Sequence, residues 1–483
     1  MAFFIQRRIN FMARRNQRKT IDEIEVLDFA AEGKCLTRHE GQVIFITTPN
    51  VAPGDVVKLQ INRKRKSYSE AIILERLKDS PMRIDAFCSH FGVCGGCKWQ
   101  HIPYQEQLRQ KEKQVKDQLE RIGKLDIETF HPILPSQKTD FYRNKLEFTF
   151  SSTRWLTSEE IGSSNDLGNR DALGFHIPKR FDKVLPIDTC YLQADPSNDI
   201  RRFFDKYARE SGLAFYNHVK HEGFFRTLML RTASTGEVMV AVQFAEDNQK
   251  VIDHCLNAFV AAFPNVNSVN YFLNQKRNDS YQDLEAIHFS GKPYIEEEME
   301  GLRFRIGVKS FYQTNSEQAY VLYKVTRLMA GIAPEDIVYD LYTGTGTIAN
   351  FIAKDAKKVV GVEYVPEAIE DAKINSMSNG INNTVFYAGN MKDILDKSFV
   401  EREGKPNVII TDPPRAGMDK EVIETILEIE AERIVYVSCN AATQARDVAL
   451  LSEKYEVLEA QPVDMFPHTH HVENVVKLRL KNF

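Results

Sequence analysis

Beyond about residue 300 the chain alternates short apolar runs with stretches of helical periodicity, and this limits its possible folds more than any other feature. The runs Ile337–Leu341, Lys358–Val362, Val408–Thr411 and Ile434–Val437 have the length and composition of strands buried on both faces. Strands separated by helices pair in parallel, because each crossover returns the chain to the same end of the sheet. The reading is a doubly wound α/β domain, Rossmann-like, over residues 301–483. Ligands of such sheets sit outside the carboxyl ends of the strands. The residues that follow each run are therefore the first candidates for chemistry.

The first run leads into Tyr342-Thr343-Gly344-Thr345-Gly346-Thr347 and then a helix-like segment. Glycines at such a turn let a ligand approach the backbone. The second run ends at Glu363, where an acid suits a ribose diol. A dinucleotide is one possible ligand. The loop is shorter than G-x-G-x-x-G, however, and Asp340-Leu341-Tyr342-Thr343-Gly344-Thr345-Gly346 looks like an S-adenosylmethionine site. The third run enters Asp412-Pro413-Pro414-Arg415, whose prolines remove two backbone donors and stiffen the exit. The fourth enters Ser438-Cys439-Asn440. A cysteine there is either a nucleophile or a small buried residue.

The first 300 residues read differently. Residues 1–20 form a basic tail without an acid, and 21–80 alternate short β-rich runs with Gly/Pro turns: Ile24–Leu27, Gln42–Thr47, Asp55–Ile61 and Ala71–Leu74. Runs at that spacing suggest a small OB-like barrel, with the basic block Arg63-Lys64-Arg65-Lys66 in one of its loops. Residues 81–300 form a mixed α+β middle domain. Within it, 104–122 carry a sparse stripe of Leu108, Val115, Leu119 and Ile122, an amphipathic helix stopped at Gly123 that has the option of packing on the last domain. The polar stretch 163–170 reads as a surface excursion. Arg143-Asn144-Lys145, Arg226 and Arg231 offer phosphate contacts, or are simply strand residues.

No run approaches the roughly 18 apolar residues that span a bilayer, so no membrane partner is expected and the cytoplasm is the expected compartment. Seven cysteines in 483 residues, an odd number, argue against a disulfide framework. Three of them, Cys88, Cys94 and Cys97, fall in C-x5-C-x2-C around glycines. With a fourth thiolate such a set suits either zinc or an iron–sulfur cluster, and the spacing alone does not choose. Cys35 and Cys255 read as packing residues.

Several stretches together resemble one family, the TRAM-domain RNA (uracil-5)-methyltransferases, in the branch that carries an iron–sulfur cluster. They are Ser310-Phe311-Tyr312-Gln313-Thr314-Asn315, Asp340–Gly346, Gly361-Val362-Glu363, Asp412–Gly417, Val437–Asn440 and Phe466–Glu473. The resemblance implies methyl transfer from S-adenosylmethionine to C5 of a uridine. Cys439 would be the nucleophile that adds to C6, and Glu473 the base that removes the C5 proton. Asp412 would lie beside base and cofactor, and Gln313, Tyr342, Gly344, Thr347, Glu363 and Asn390 would line the cofactor site. It supplies Cys190 as the fourth ligand and favours a [4Fe-4S] cluster on Cys88, Cys94, Cys97 and Cys190 over zinc. It makes RNA the partner, 23S rRNA ahead of the tRNA T-loop, and a monomer the expected state. Two positions depart from the family: Thr343 stands where cysteine is usual, and Thr347 where asparagine is common. The His468-Thr469-His470-His471 stretch reads as a loop shaping the pocket rather than a metal site. A non-catalytic RNA-binding protein would lack the nucleophile or the base, and an amino-group methyltransferase would use its D-P-P loop without a cysteine.

Overall fold

A computed structural model describes residues 19–157, 160–161 and 168–481. The basic tail and most of the polar stretch at 163–170 lie outside the described residues. The chain forms two compact units, one reaching Gly92 with Cys97–Gln107, the other made of Val93–Gly96 and Leu108 onward. No described helix is long and apolar enough to cross a membrane.

The first unit holds β1 (Thr20–Glu25), β2 (Asp28–Ala30), β3 (Lys34–His39), β4 (Gln42–Ile46), β5 (Val56–Lys64) and β6 (Tyr68–Lys78). They pair in the order β1-β5-β6-β4-β3-β2, so the two outermost strands are consecutive in the chain. Three register shifts between β5 and β6 bend the sheet around its core, since a bulge adds local twist. Val26, Ile46, Val57, Leu59 and Ala71 are fully buried in that core. Four runs were legible in this stretch, yet six strands form. β2 and β3 are short and turn few apolar side chains inward, only Phe29, Cys35 and Thr37 being buried. Arg63, Lys64, Arg65 and Lys66 are all exposed, at the end of β5 and in the turn to β6.

The second unit opens with most of α1 (Tyr104–Arg121), then β7 (Ile127–Phe130). A seven-stranded sheet follows, built from β8 (Lys145–Ser151), β9 (Ala172–Ile177), β10 (Arg180–Pro186), β11 (Phe225–Thr232), β12 (Val238–Phe244), β13 (Ser268–Leu273) and β14 (Ile287–Gly291). Its order is β10-β9-β8-β11-β12-β13-β14, and α2 (Ser197–Glu210) and α3 (Gln249–Ala262) belong to this part. Arg226 and Arg231, considered as phosphate contacts, are buried here. Arg226 donates to the carbonyls of Asn274, Lys276 and Asn278, and Arg231 to that of Ser310. Arg226 also pairs with the Asp279 carboxylate at 2.6 Å, so neither charge is offered to a phosphate.

A hairpin of β15 (Tyr294–Met299) and β16 (Leu302–Gly307) leads to α4 (Ser316–Ala330). The last sheet then alternates β17 (Ile337–Leu341), α5 (Thr347–Ile352), β18 (Lys358–Glu363), α6 (Pro366–Ser378), β19 (Thr384–Ala388), α7 (Met391–Ile394), α8 (Lys397–Glu403), β20 (Val408–Thr411), α9 (Lys420–Ile429), β21 (Arg433–Ser438), α10 (Ala441–Leu451), β22 (Tyr455–Val463) and β23 (Glu473–Leu480). The order is β19-β18-β17-β20-β21-β23-β22-β7. β17 to β21 are parallel, and β23 runs antiparallel to β21 and β22. Successive residues feed opposite faces, as the period of two requires. Val338, Ile410, Val435 and Val475 enter one core, shared with Met229, Met239 and Phe272 of the middle sheet. Tyr339, Ile409, Ile434 and Val476 enter the other, shared with Val115 and Leu119 of α1.

Candidate active site

Six strand ends converge at one edge of the last sheet. β17, β18, β19, β20 and β21 deliver their carboxyl ends there. The antiparallel β23 delivers its amino end, so Glu473 arrives beside residues that follow the parallel strands. Ser438 pairs with Asn474 across β21 and β23. Continuing that register sets Cys439 opposite Glu473. Residues 34 apart in sequence thus meet because one strand reverses the direction of the sheet.

The glycine loop is held open by positive backbone angles. Tyr342, Gly344 and Gly346 have φ of 64°, 55° and 73°. A Cβ at Gly344 would meet nothing within 4 Å, which leaves room for a ligand against the backbone. A Cβ at Gly346 would lie 2.8 Å from Cβ of Ala372, so glycine lets α5 and α6 approach. Gly344 N–H donates to Glu363 at 3.2 Å, and Val365 N–H donates to its other oxygen at 3.0 Å. Glu363 is thereby fixed at the end of β18. Gly389 N–H donates to the Glu363 carbonyl at 2.8 Å, which places Asn390, the cap of α7, at the neighbouring strand end. Thr347 is nearly buried, its hydroxyl 3.3 Å from that of Thr345. Gln313 is also nearly buried, and its carbonyl accepts from Asn144 at 2.9 Å.

Acidic groups crowd the centre. Asp340 is fully buried; it accepts from Thr343 Oγ1, and from Ala349 N–H at 3.1 Å. Thr343 thus serves as a donor to this acid. Burial lifts the Asp340 carboxyl to about 7 despite those donors. Burial and the neighbouring Asp340 lift Asp412 to about 7 as well. Glu473 is 3% exposed; burial and Asp412 raise it to about 8, against the pull of Arg415. Burial, then Glu473 and Asp412, raise the Cys439 thiol to about 11, while Arg415 opposes the rise by charge and hydrogen bond. Tyr323, buried on α4, is pushed well above its ordinary value by burial and then by Asp412. A site that crowds this many carboxyls favours a cationic ligand, whose charge would draw them toward the ionised form.

Residues 290–481 match the family model described as tRNA (Uracil-5-)-methyltransferase. An uncharacterized RNA methyltransferase of Bacteroides thetaiotaomicron is 56% identical over 455 residues, 94% of this chain and 100% of that protein. One from Porphyromonas gingivalis is 54% identical over 462 residues, 94% of this chain and 99% of that protein. The chain belongs to the uracil-5 RNA methyltransferase family. A solved structure of the Pyrococcus abyssi tRNA (uracil-54, C5)-methyltransferase, in complex with S-adenosyl-L-homocysteine, is similar with a TM-score of 0.72 at 28% identity. That match covers 94% of this chain and 100% of the other.

In this methyltransferase, three residues of the site escaped sequence reasoning as individuals. Arg415 stood in the quoted D-P-P-R stretch, but only the fold sets it beside Cys439. Asn440 and Thr443 hold its carbonyl at 3.0 and 3.2 Å. Asp340 looked like a strand residue, and Tyr323 lies on a helix with no motif. The loop carrying Arg415 is pinned from below. Asp447 accepts from Met418 N–H at 2.8 Å and from Tyr436 at 2.7 Å, and a Cβ at Gly417 would sit 2.5 Å from Asp447 Oδ2.

The cysteines sort as follows. Cys88, Cys94 and Cys97 are part-exposed, and Cys190 is buried. Gly96 N–H points at Cys94 Sγ at 3.4 Å, and Asn198 clasps the Cys190 backbone at 2.8 and 3.1 Å. Cys35 and Cys255 are buried in cores.

Proposed function

We propose that this methyltransferase transfers a methyl group from S-adenosylmethionine to C5 of a uridine in 23S rRNA through a covalent bond between Cys439 and C6 of the base. The observation that carries the reading is the register of β21 and β23, which brings Cys439 opposite Glu473 with Arg415 beside them. S-adenosylmethionine supplies an electron-poor methyl group on a cationic sulfur.

Uracil C5 is a weak nucleophile. When Cys439 Sγ forms a bond to C6, the C5=C6 electron pair moves toward the C4 carbonyl and makes C5 enolate-like. C5 then takes the methyl group as its bond to sulfur breaks, the electron pair staying with the sulfur of the departing S-adenosylhomocysteine; Glu473 removes the proton left on C5, and the electron pair of that C–H bond re-forms C5=C6 as the C6–S bond breaks. One hard displacement becomes easier steps. Arg415 favours the thiolate that starts the sequence. Asp412 and Glu363 suit the sulfonium and the ribose, and Gln313, Tyr342, Gly344, Thr347 and Asn390 complete the cofactor cradle. The uridine must leave its stack to reach Cys439.

Cys88, Cys94, Cys97 and Cys190 hold a [4Fe-4S] cluster. The donor chemistry fits: four cysteine sulfurs, one of them receiving a backbone N–H, and Gly95 packed so closely that a Cβ would lie 2.9 Å from Pro178. The cluster pins structure. The first unit is a TRAM-type barrel that meets RNA phosphates with the exposed Arg63–Lys66 block.

A second reading, methylation of the tRNA T-loop, is favoured by the tRNA substrate named for the similar Pyrococcus abyssi enzyme. Labelled cofactor offered with unmodified 23S rRNA fragments and tRNA transcripts side by side separates the two. Label recovered as 5-methyluridine in rRNA alone is the expected result. Label in tRNA alone moves the substrate to the second reading, and label in neither overturns both.

A further inference from the structure

The middle sheet carries a set of metal-ligating side chains that methyl transfer leaves unused. His176 lies on β9, His218 in the loop before β11, and Asp279 in the loop after β13. One donor atom from each lies within 4.8 Å of the other two. His218 is 7% exposed, and neither of its ring nitrogens has a hydrogen-bond partner; Nδ1 of His176 is likewise buried without one. Buried polar atoms are rarely left unpaired because their desolvation is then uncompensated, so three in one spot point to a missing partner.

The spacing says what kind. Asp279 Oδ2 stands 3.6 Å from His218 Nε2. That is too long for a hydrogen bond. Two ligands bound at about 2.0–2.1 Å to one tetrahedral ion stand about 3.4 Å apart. The other oxygen of Asp279 is already committed: Oδ1 accepts from Arg226 at 2.6 Å. Arg226 is itself anchored on three backbone carbonyls, and its guanidinium stacks 4.1 Å over the Tyr216 ring. This is the outer support that orients a ligating carboxylate, and it turns Oδ2 toward the histidines.

We propose that His176, His218 and Asp279 form a zinc site that ties the β9–β10 hairpin to the loops at 215–224 and 274–284. Two imidazoles and one carboxylate are ligands that zinc accepts, with solvent completing the tetrahedron. The same hairpin supports the C-x2-C turn, since a Cβ at Gly95 would meet Pro178 at 2.9 Å and the His176 carbonyl at 3.7 Å. Zinc would therefore stiffen the seat of that turn without taking part in methyl transfer.

The test is a zinc titration of the full-length protein with its cysteine site as purified, followed by zinc X-ray absorption on the complex. The expected result is one tightly bound ion per chain, a shell of nitrogen and oxygen at about 2.0–2.1 Å without sulfur, and a raised melting temperature. His176→Gln and Asp279→Asn should each weaken binding by about tenfold or more and abolish the thermal gain. No uptake by the wild type, a shell containing sulfur at about 2.3 Å, or variants that bind as the wild type does would overturn the site. The wild-type spectrum decides the question even where a variant fails to fold.

Discussion

At Cys439 the proposed chemistry asks for a thiolate while the surroundings resist one. Burial, Glu473 and Asp412 lift the thiol to about 11, and Arg415 is the one neighbour found to oppose them. Arg415→Ala should therefore slow covalent addition by an order of magnitude or so, equivalent to about 1.4 kcal/mol of barrier. A single-turnover adduct assay at fixed pH reads this. Glu473 must be ionised to take a proton, and in the ligand-free site its carboxyl sits near 8. The rate at low substrate should climb with pH through that value, and Glu473→Gln should lose turnover altogether. A kcat/KM profile between pH 6 and 9 checks the direction. The same shifts predict stability. Asp340 and Asp412 at about 7 and Glu473 at about 8 lie above their unfolded values, so the contribution present below about pH 4 is lost as pH rises to about 8. The ligand-free melting temperature should fall over that window, and less steeply in Asp412→Asn. Cys439, Asp412 and Glu363 were legible because each follows an apolar run. Arg415 and Tyr323 were not, because their roles depend on which element faces them rather than on local pattern.

Among the elements, α1 shows both the reach and the limit of periodicity. Its extent follows from a sparse apolar stripe and Gly123, and Val115 and Leu119 are fully buried as that stripe demands. Ile122, counted in the stripe, is exposed, and Lys111, one charge among many, is fully buried. Lys111 Nζ donates to Asp464 at 2.6 Å and to the Phe466 carbonyl at 2.9 Å, fixing the loop that leads to Glu473. A pattern of charges cannot tell the one that finds a buried partner 353 residues away. Lys111→Ala should cost about 3–5 kcal/mol by stranding Asp464, and replacing both with apolar residues should cost less. Urea unfolding of the single and double variants measures the difference. Gly346→Ala tests the glycine loop. An alanine there would need φ of 73° and about 0.6–1.2 Å more room beside Ala372 than the 2.8 Å available, by ordinary contact of about 3.4–4 Å. It should weaken S-adenosylmethionine binding about tenfold or more, read by calorimetry, and Gly344→Ala should weaken it too, because its Cβ would enter the space left for the ligand.

For the whole molecule, the doubly wound class was legible from the alternation after residue 300, but the sheet's full membership was not. β7 joins β22 from some 330 residues away, and such pairing leaves no local trace. Nor does periodicity reveal that the last sheet shares one core with the middle sheet and the other with α1. These two cores hold the β21–β23 register that sets Cys439 against Glu473, which is where the account is most exposed to test. Glu473→Gln protein, incubated with S-adenosylmethionine and unmodified RNA, should accumulate a denaturant-resistant adduct whose bond maps to Cys439 and whose base already carries the methyl group. Free 5-methyluridine formed at the wild-type rate with no adduct, or an adduct that persists in Cys439→Ala, would contradict the covalent mechanism.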